Sequence, residues 1–93
     1  MAATQTVTGV LTFDTVSGLY KTSDRWFAGE GEMVIDLAQV TRADSAGLAL
    51  MVEWLRRAQV AGRSLRFANI PEQMQTLIRV NGLQGAILNS NSR

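Results

Sequence analysis

Residues 33–61, MVIDLAQVTRADSAGLALMVEWLRRAQVA, restrict the possible folds more than any other stretch of the chain. Met33–Leu37 is a run of Met, Val, Ile and Leu interrupted only by Asp36. A strand with no clean apolar/polar alternation asks for cover on both faces, as in a parallel sheet. A short loop turning at Asp44-Ser45 follows, and then a long helix opening at Gly47. The run Asp44-Ser45-Ala46-Gly47 puts a carboxylate and a hydroxyl among the free backbone N–H groups of a helix start. Function is therefore expected where this strand ends and this helix begins.

The flanking segments repeat the pattern. Met1–Thr6 is small and polar, either a frayed end or a short edge strand, and Val7–Phe13 is a strand with Val7, Leu11 and Phe13 on one face. Asp14-Thr15 offers a helix start, with Val16, Leu19, Tyr20, Ser23 and Phe27 at helical spacing until Gly29-Glu30-Gly31. After the central helix, Gly62 stands where a C-terminal glycine belongs, and Ser64–Ala68 forms a further strand. Pro71 falls near the start of a third helix, where its missing N–H costs nothing, and Gly82 ends that helix. Ala86–Leu88 offers a last edge strand, and Asn89–Arg93 reads as a flexible tail. The order β-α-β-α-β-α-(β) with short connections predicts one α/β domain over residues 1–93, a small mixed, mostly parallel sheet with helices packed on it.

The central helix carries two apolar faces. At about 100° per residue, Leu48, Met51, Val52, Leu55 and Gln59 cluster and are expected to face the sheet. Ala46, Leu50, Glu53, Trp54, Arg57 and Ala61 fall on the far side. Leu50 and Trp54, four residues apart and flanked by Glu53 and Arg57, have the composition of an interface anchor with a polar rim. The plainer alternative sets Trp54 over the core edge and leaves Leu50 as a scattered surface leucine.

Composition removes several chemistries. The chain has no Cys and no His, which excludes disulfides, thiolate chemistry, His-assisted nucleophiles and His/Cys zinc sites. A net charge of +1 gives no case for wholesale nucleic-acid binding. The first 15 residues lack the basic start and apolar core of a signal peptide, and no apolar run approaches the ~18 residues of a membrane span. A cytoplasmic protein without cofactor or metal is the resulting expectation. Gly29-Glu30-Gly31 lacks a third glycine and precedes a strand, so it fails as a dinucleotide fingerprint. Asp36 and Asp44 bracket the strand-to-helix loop and would be a thin Mg²⁺ site; Asp36 fits better as a turn ligand to backbone N–H groups. The pair Arg56-Arg57 reads as solvated charge.

Ser45 has two readings from its position. It is a helix cap worth ~1 kcal/mol, or, with Asp44 as the cap, a spare hydroxyl where a phosphate would be stabilised by the helix dipole. As a nucleophile it lacks any activating His or nearby Lys.

The run VIDLAQVTRADSAGLALMVEWL resembles the STAS family, whose pattern is an apolar strand ending in Asp-Leu, a loop, and Asp-Ser/Thr-small-Gly-Leu opening a helix. Here these positions are Asp36-Leu37 and Asp44-Ser45-Ala46-Gly47-Leu48. In anti-sigma factor antagonists of the family a kinase phosphorylates a serine just before the motif glycine, and that position here is Ala46. Ser45 matches the functionally important Thr or Ser of the MlaB-like branch, the STAS subunits of phospholipid-transporting ABC complexes. The resemblance implies a non-enzymatic protein that binds the ATPase subunit, peripheral to the inner membrane through that partner. It also implies a docking surface of Asp44, Ser45, Ala46, Gly47, Leu50, Glu53, Trp54 and Arg57, with the third helix (Glu72–Arg79) adding to it. The alternative within the family is an anti-sigma factor antagonist that binds a kinase-type anti-sigma factor, with Ser45 as a phosphorylation site.

Overall fold

A computed structural model describes the backbone of residues 3–91 and the side chains through Ile87. Three strands, β1 (Ala3–Leu11), β2 (Met33–Ala43) and β3 (Leu65–Ala68), form one sheet in the order β1-β2-β3, and both pairs are parallel. Between β1 and β2 lie α1 (Val16–Thr22) and a 3₁₀ segment (Ser23–Phe27). Between β2 and β3 lies α2 (Ser45–Val60), and α3 (Glu72–Val80) and α4 (Gln84–Asn91) follow. Both crossovers step the same way across the sheet, so right-handed connections put α1 and α2 on one face. There α2 packs on β2 and on α1, α3 and α4, while α4 lies against β3. The other face carries Thr4, Thr6 and Thr8 in solvent and Asp36 and Arg66 half-buried.

The central strand is longer than its apolar run. Beyond Leu37, β2 continues through Gln39, Thr41 and Arg42 to Ala43, paired only with β1. Two register shifts, between Thr6/Thr8 and between Gly9/Val10 on β1, each insert one extra residue into β2. The bulges move the buried positions from Met33, Ile35 and Leu37 to Val40 and Ala43, a spacing of three. A period of two therefore cannot find the second half of this strand, and what reads as a loop is strand.

Other boundaries move for local reasons. Ala3–Thr6 belongs to β1, paired with Met33–Asp36, and is not a frayed end; residues 1–2 lie outside the described residues. α2 opens at Ser45, two residues before Gly47. Ala86–Leu88 is helical, not an edge strand: Ile87 donates its N–H to the Leu83 carbonyl and is fully buried. Asn89–Asn91 continues that helix, and the remainder of the expected tail, residues 92–93, lies outside the described residues. The core joins Leu11, Ile35, Leu37, Met51, Trp54, Phe67, Met74 and Ile78 between the sheet and the helices.

Arg63 closes the end of the molecule away from Ser45. Its guanidinium, almost wholly buried, donates from Nε to Gly31 O, from Nη1 to Trp26 O and Ala28 O, and from Nη2 to Glu30 O. One cation thereby satisfies four carbonyls between Trp26 and Gly31, two of them in the Gly29-Glu30-Gly31 turn, and ties this segment to the α2–β3 connection.

Candidate functional site

Asp44 organises the junction of β2 and α2. Its extended backbone makes it the N-cap, and Oδ1 accepts the Ala46 N–H at 2.8 Å. Oδ2 accepts the Phe13 N–H at 3.2 Å, and the Asp44 N–H donates to the Leu11 carbonyl at 3.1 Å. Asp44 thus fastens the β1 end to the α2 start. Gly47 lets the helix come that close: a Cβ there would stand 2.7 Å from the Leu11 carbonyl oxygen and 2.9 Å from Leu11 Cβ. With Asp44 as cap, Ser45 is left exposed and its hydroxyl makes no hydrogen bond among the described residues.

Beside Ser45 lies a surface hollow of about 480 Å³, lined by Ala43, Asp44, Ser45, Gln73, Thr76 and Leu77. Gln73 fixes α3 there, its Oε1 accepting the Ala43 N–H at 3.0 Å. From Ser45 the solvent-facing stripe of α2 runs through Ala49, Arg56 and Val60, with Val52 and Glu53 half-buried at its edge. Phe13 is 81% exposed just beyond β1, where its backbone N–H meets the Asp44 carboxylate. Nothing here supplies an activated nucleophile, and among the described residues no three His, Cys, Asp or Glu side chains group to hold a metal. The arrangement suits recognition of another surface: small residues on a rigid helix, an exposed ring and an adjoining hollow.

The burial of α2 corrects the expected site. Leu50 and Trp54 do not face outward; they are 4% and 0% exposed. The buried stripe of Gly47, Leu48, Leu50, Met51, Trp54 and Ala58 is turned roughly a quarter turn from the stripe expected from Leu48, Met51, Val52, Leu55 and Gln59. The second apolar face of α2 is covered by the chain's own α1 and 3₁₀ segment. Trp54 Nε1 donates to Ser23 Oγ at 2.9 Å, with both groups fully buried, and Trp26 and Phe67 pack against the indole at centroid distances of 5.7 and 6.4 Å. Arg57 is not solvated either: it bridges to Asp24 at 3.0 Å and lies 4.1 Å over the Tyr20 ring. Of the eight residues expected at the surface, Ser45 is exposed, while Asp44, Ala46 and Glu53 are half-buried. Gly47, Leu50, Trp54 and Arg57 belong to the architecture.

Phe13 and Ala49 escaped the sequence reading as surface residues, whereas Leu77 lies within the third-helix range expected to add to the surface. Phe13 has the parity of Val7 and Leu11, but β1 ends at Leu11 and the alternation stops with it. Asp36 serves the first bulge of β2: Oδ1 accepts from Ala38 N–H at 2.9 Å and from Asn69 Nδ2 at 3.1 Å. The Ala38 N–H, and secondly the Asn69 amide, hold its carboxyl below the ordinary value.

No helix among the described residues is long and apolar enough to cross a membrane. No curated protein matches the sequence. Among solved structures, a sulfate transporter family protein from Wolinella succinogenes superposes with a TM-score of 0.74 at 12% identity, over 97% of this chain and 80% of that one. At that identity the likeness concerns the fold. The family model described as "Mlab, STAS domain" matches residues 2–89, and the chain accordingly belongs to this family of STAS domains.

Proposed function

We propose that the protein is a non-enzymatic accessory subunit that docks on the cytoplasmic ATPase of a lipid-transporting ABC complex and supports its assembly and activity, in maintenance of outer-membrane lipid asymmetry. The observation that carries this reading is the surface around the α2 start. Ser45 is released from capping by Asp44 and sits between exposed Phe13 and the hollow under Leu77. Membership of the Mlab-type STAS family supports a role in binding another protein. In this reading Ser45, Ala46, Ala49 and Glu53 make the contact together with Phe13 and Leu77, and Leu50 and Trp54 hold the helix in place behind them. Co-purification with the ATPase encoded beside this chain tests it: Ser45→Arg should abolish recovery of the complex, and an intact complex would refute the docking face.

A second reading, an anti-sigma factor antagonist, draws on the exposed Ser45 hydroxyl. Incubation with a kinase-type anti-sigma factor and ATP, followed by mass spectrometry, separates the two. Stoichiometric phosphate on Ser45 would favour the antagonist.

A further inference from the structure

The outer edge of β1 has no partner strand among the described residues, since β1 pairs only with β2 in the order β1-β2-β3. In a parallel ladder one residue turns its N–H and C=O to the same neighbour, and the next residue turns them the other way. The Ala3 N–H donates to Glu32 O, Gly9 O accepts the Thr41 hydroxyl, and Leu11 O accepts the Asp44 N–H. The odd-numbered residues thus face β2. Thr4, Thr6 and Thr8 turn their N–H and C=O groups outward, where no described residue meets them. All three are exposed, so α1 leaves this edge open; it ends where the Thr15 hydroxyl donates to Val10 O. Both bulges put their extra residue into β2, which leaves β1 regular up to Gly9 and its positive φ of 86°. Natural sheets blunt an open edge with Lys, Pro, an inward charge or a bulge on the edge strand itself. Ala3–Leu11, ATQTVTGVL, has none of these. Within residues 1–93 no segment is left over to add a strand there, because only residues 1–2 and 92–93 lie outside the description.

We propose that β1 pairs antiparallel with β1 of a second copy of this chain, about a two-fold axis at Thr6, joining two three-stranded sheets into one. In this register Thr6 stands opposite its own copy and Thr4 opposite Thr8 of the partner subunit. The three outward-facing threonines then exchange about six backbone hydrogen bonds. Their side chains form Thr–Thr pairs on the open sheet face, a favourable cross-strand match, and no like charges oppose because the strand carries none. A second copy fits this edge better than an unrelated peptide. Added strands are selected by pockets for alternate side chains, and β1 residues line neither the hollow beside Ser45 nor the cleft between α2 and β3. The antiparallel pairing points the two Ser45 surfaces in opposite directions and leaves both free. Failure of the dimer or of the docking reading therefore leaves the other standing. The short shared edge makes the dimer weak and concentration-dependent.

Sedimentation velocity of the whole protein and thiol cross-linking test it together. The protein should form a dimer, and nothing larger, below about 1 mM. Thr6→Lys sets two ammonium groups opposite each other at the axis and should raise the dissociation constant at least about tenfold. Because Thr6 is exposed, the melting temperature of the dilute variant should match wild type. Val80→Lys, at an exposed apolar residue of α3, should dimerise as wild type does. The chain has no Cys, so Thr6→Cys introduces a single thiol. Across the axis the two Cα atoms stand about 5.5 Å apart, within disulfide range, and oxidised glutathione should link them. Thr4→Cys stands about 14 Å from its own copy and should stay unlinked alone, yet link when mixed with Thr8→Cys. A monomer at about 1 mM, assembly beyond a dimer, or wild-type association of Thr6→Lys would overturn the pairing. So would equal loss in Val80→Lys, or linking of Thr4→Cys alone as readily as Thr6→Cys.

Discussion

The carbonyl oxygen of Leu11 lies 2.7 Å from the point where a Cβ on residue 47 would stand, so β1 and α2 can meet only if that residue is glycine. The atom in the way is backbone of a buried strand and has little room to retreat. In an open helix Gly→Ala would add about 0.5–1 kcal/mol of stability. Here overpacking, typically about 1–3 kcal/mol, outweighs it. Gly47→Ala is expected to lower stability by about 1–2 kcal/mol in urea denaturation.

Trp54 and Ser23 form a buried pair that the docking reading must leave alone. Ser23→Ala strands the indole N–H without an acceptor, at a cost of about 1–3 kcal/mol. Trp54→Ala should cost about 3–5 kcal/mol, as expected for a large aromatic removed from a core. A surface anchor would change stability by less than about 0.5 kcal/mol when truncated. Thermal denaturation of the two variants therefore distinguishes core from interface with no partner present.

Arg63 is the comparable lock at the other end. Arg63→Met keeps much of the side-chain volume and removes every donor to four carbonyls. A loss of at least about 2 kcal/mol is expected by denaturant unfolding. Arg63→Lys should recover only part of it, because an ammonium has neither the reach nor the fork of the guanidinium.

Asp36 gives a pH signature. Its folded-state carboxyl is held below the ordinary value of 3.8 by the Ala38 N–H and then by Asn69. A depressed carboxyl contributes stability that is present above the ordinary value and is lost as pH falls through the folded one. Asn69 adopts a positive φ of 55°, so Asn69→Gly keeps the backbone and removes the amide donor. Carboxyl-detected NMR titration should then show the Asp36 midpoint moving up toward its ordinary value; an unmoved midpoint would leave the backbone bond as its cause.

The parallel α/β plan was legible because Met33–Leu37 is apolar but for Asp36 and because Asp44 and Gly47 mark a helix start with a close neighbour. The length of β2 was not, since its two bulges break the period by which strands are recognised. Helical periodicity found both apolar faces of α2 but could not say what covers the second. That depended on the 3₁₀ turn carrying Ser23 and Trp26 across to Trp54, a contact over 31 residues that no local pattern encodes. Phe13 was hidden by the reverse effect, an apolar residue in strand phase placed two residues beyond the strand. The motif thus located the candidate site, while tertiary packing decided which of its residues reach solvent.

The account turns on the separation of roles within α2, Ser45 facing out to a partner and Trp54 facing in. The most direct measurement is calorimetric titration of the neighbouring ATPase with Ser45→Arg, and with Thr4→Arg on the open sheet face as control. The account predicts at least about a tenfold loss of affinity for Ser45→Arg, or ~1.4 kcal/mol, with an unchanged melting temperature and wild-type binding by Thr4→Arg. Wild-type affinity in the Ser45→Arg protein would contradict it.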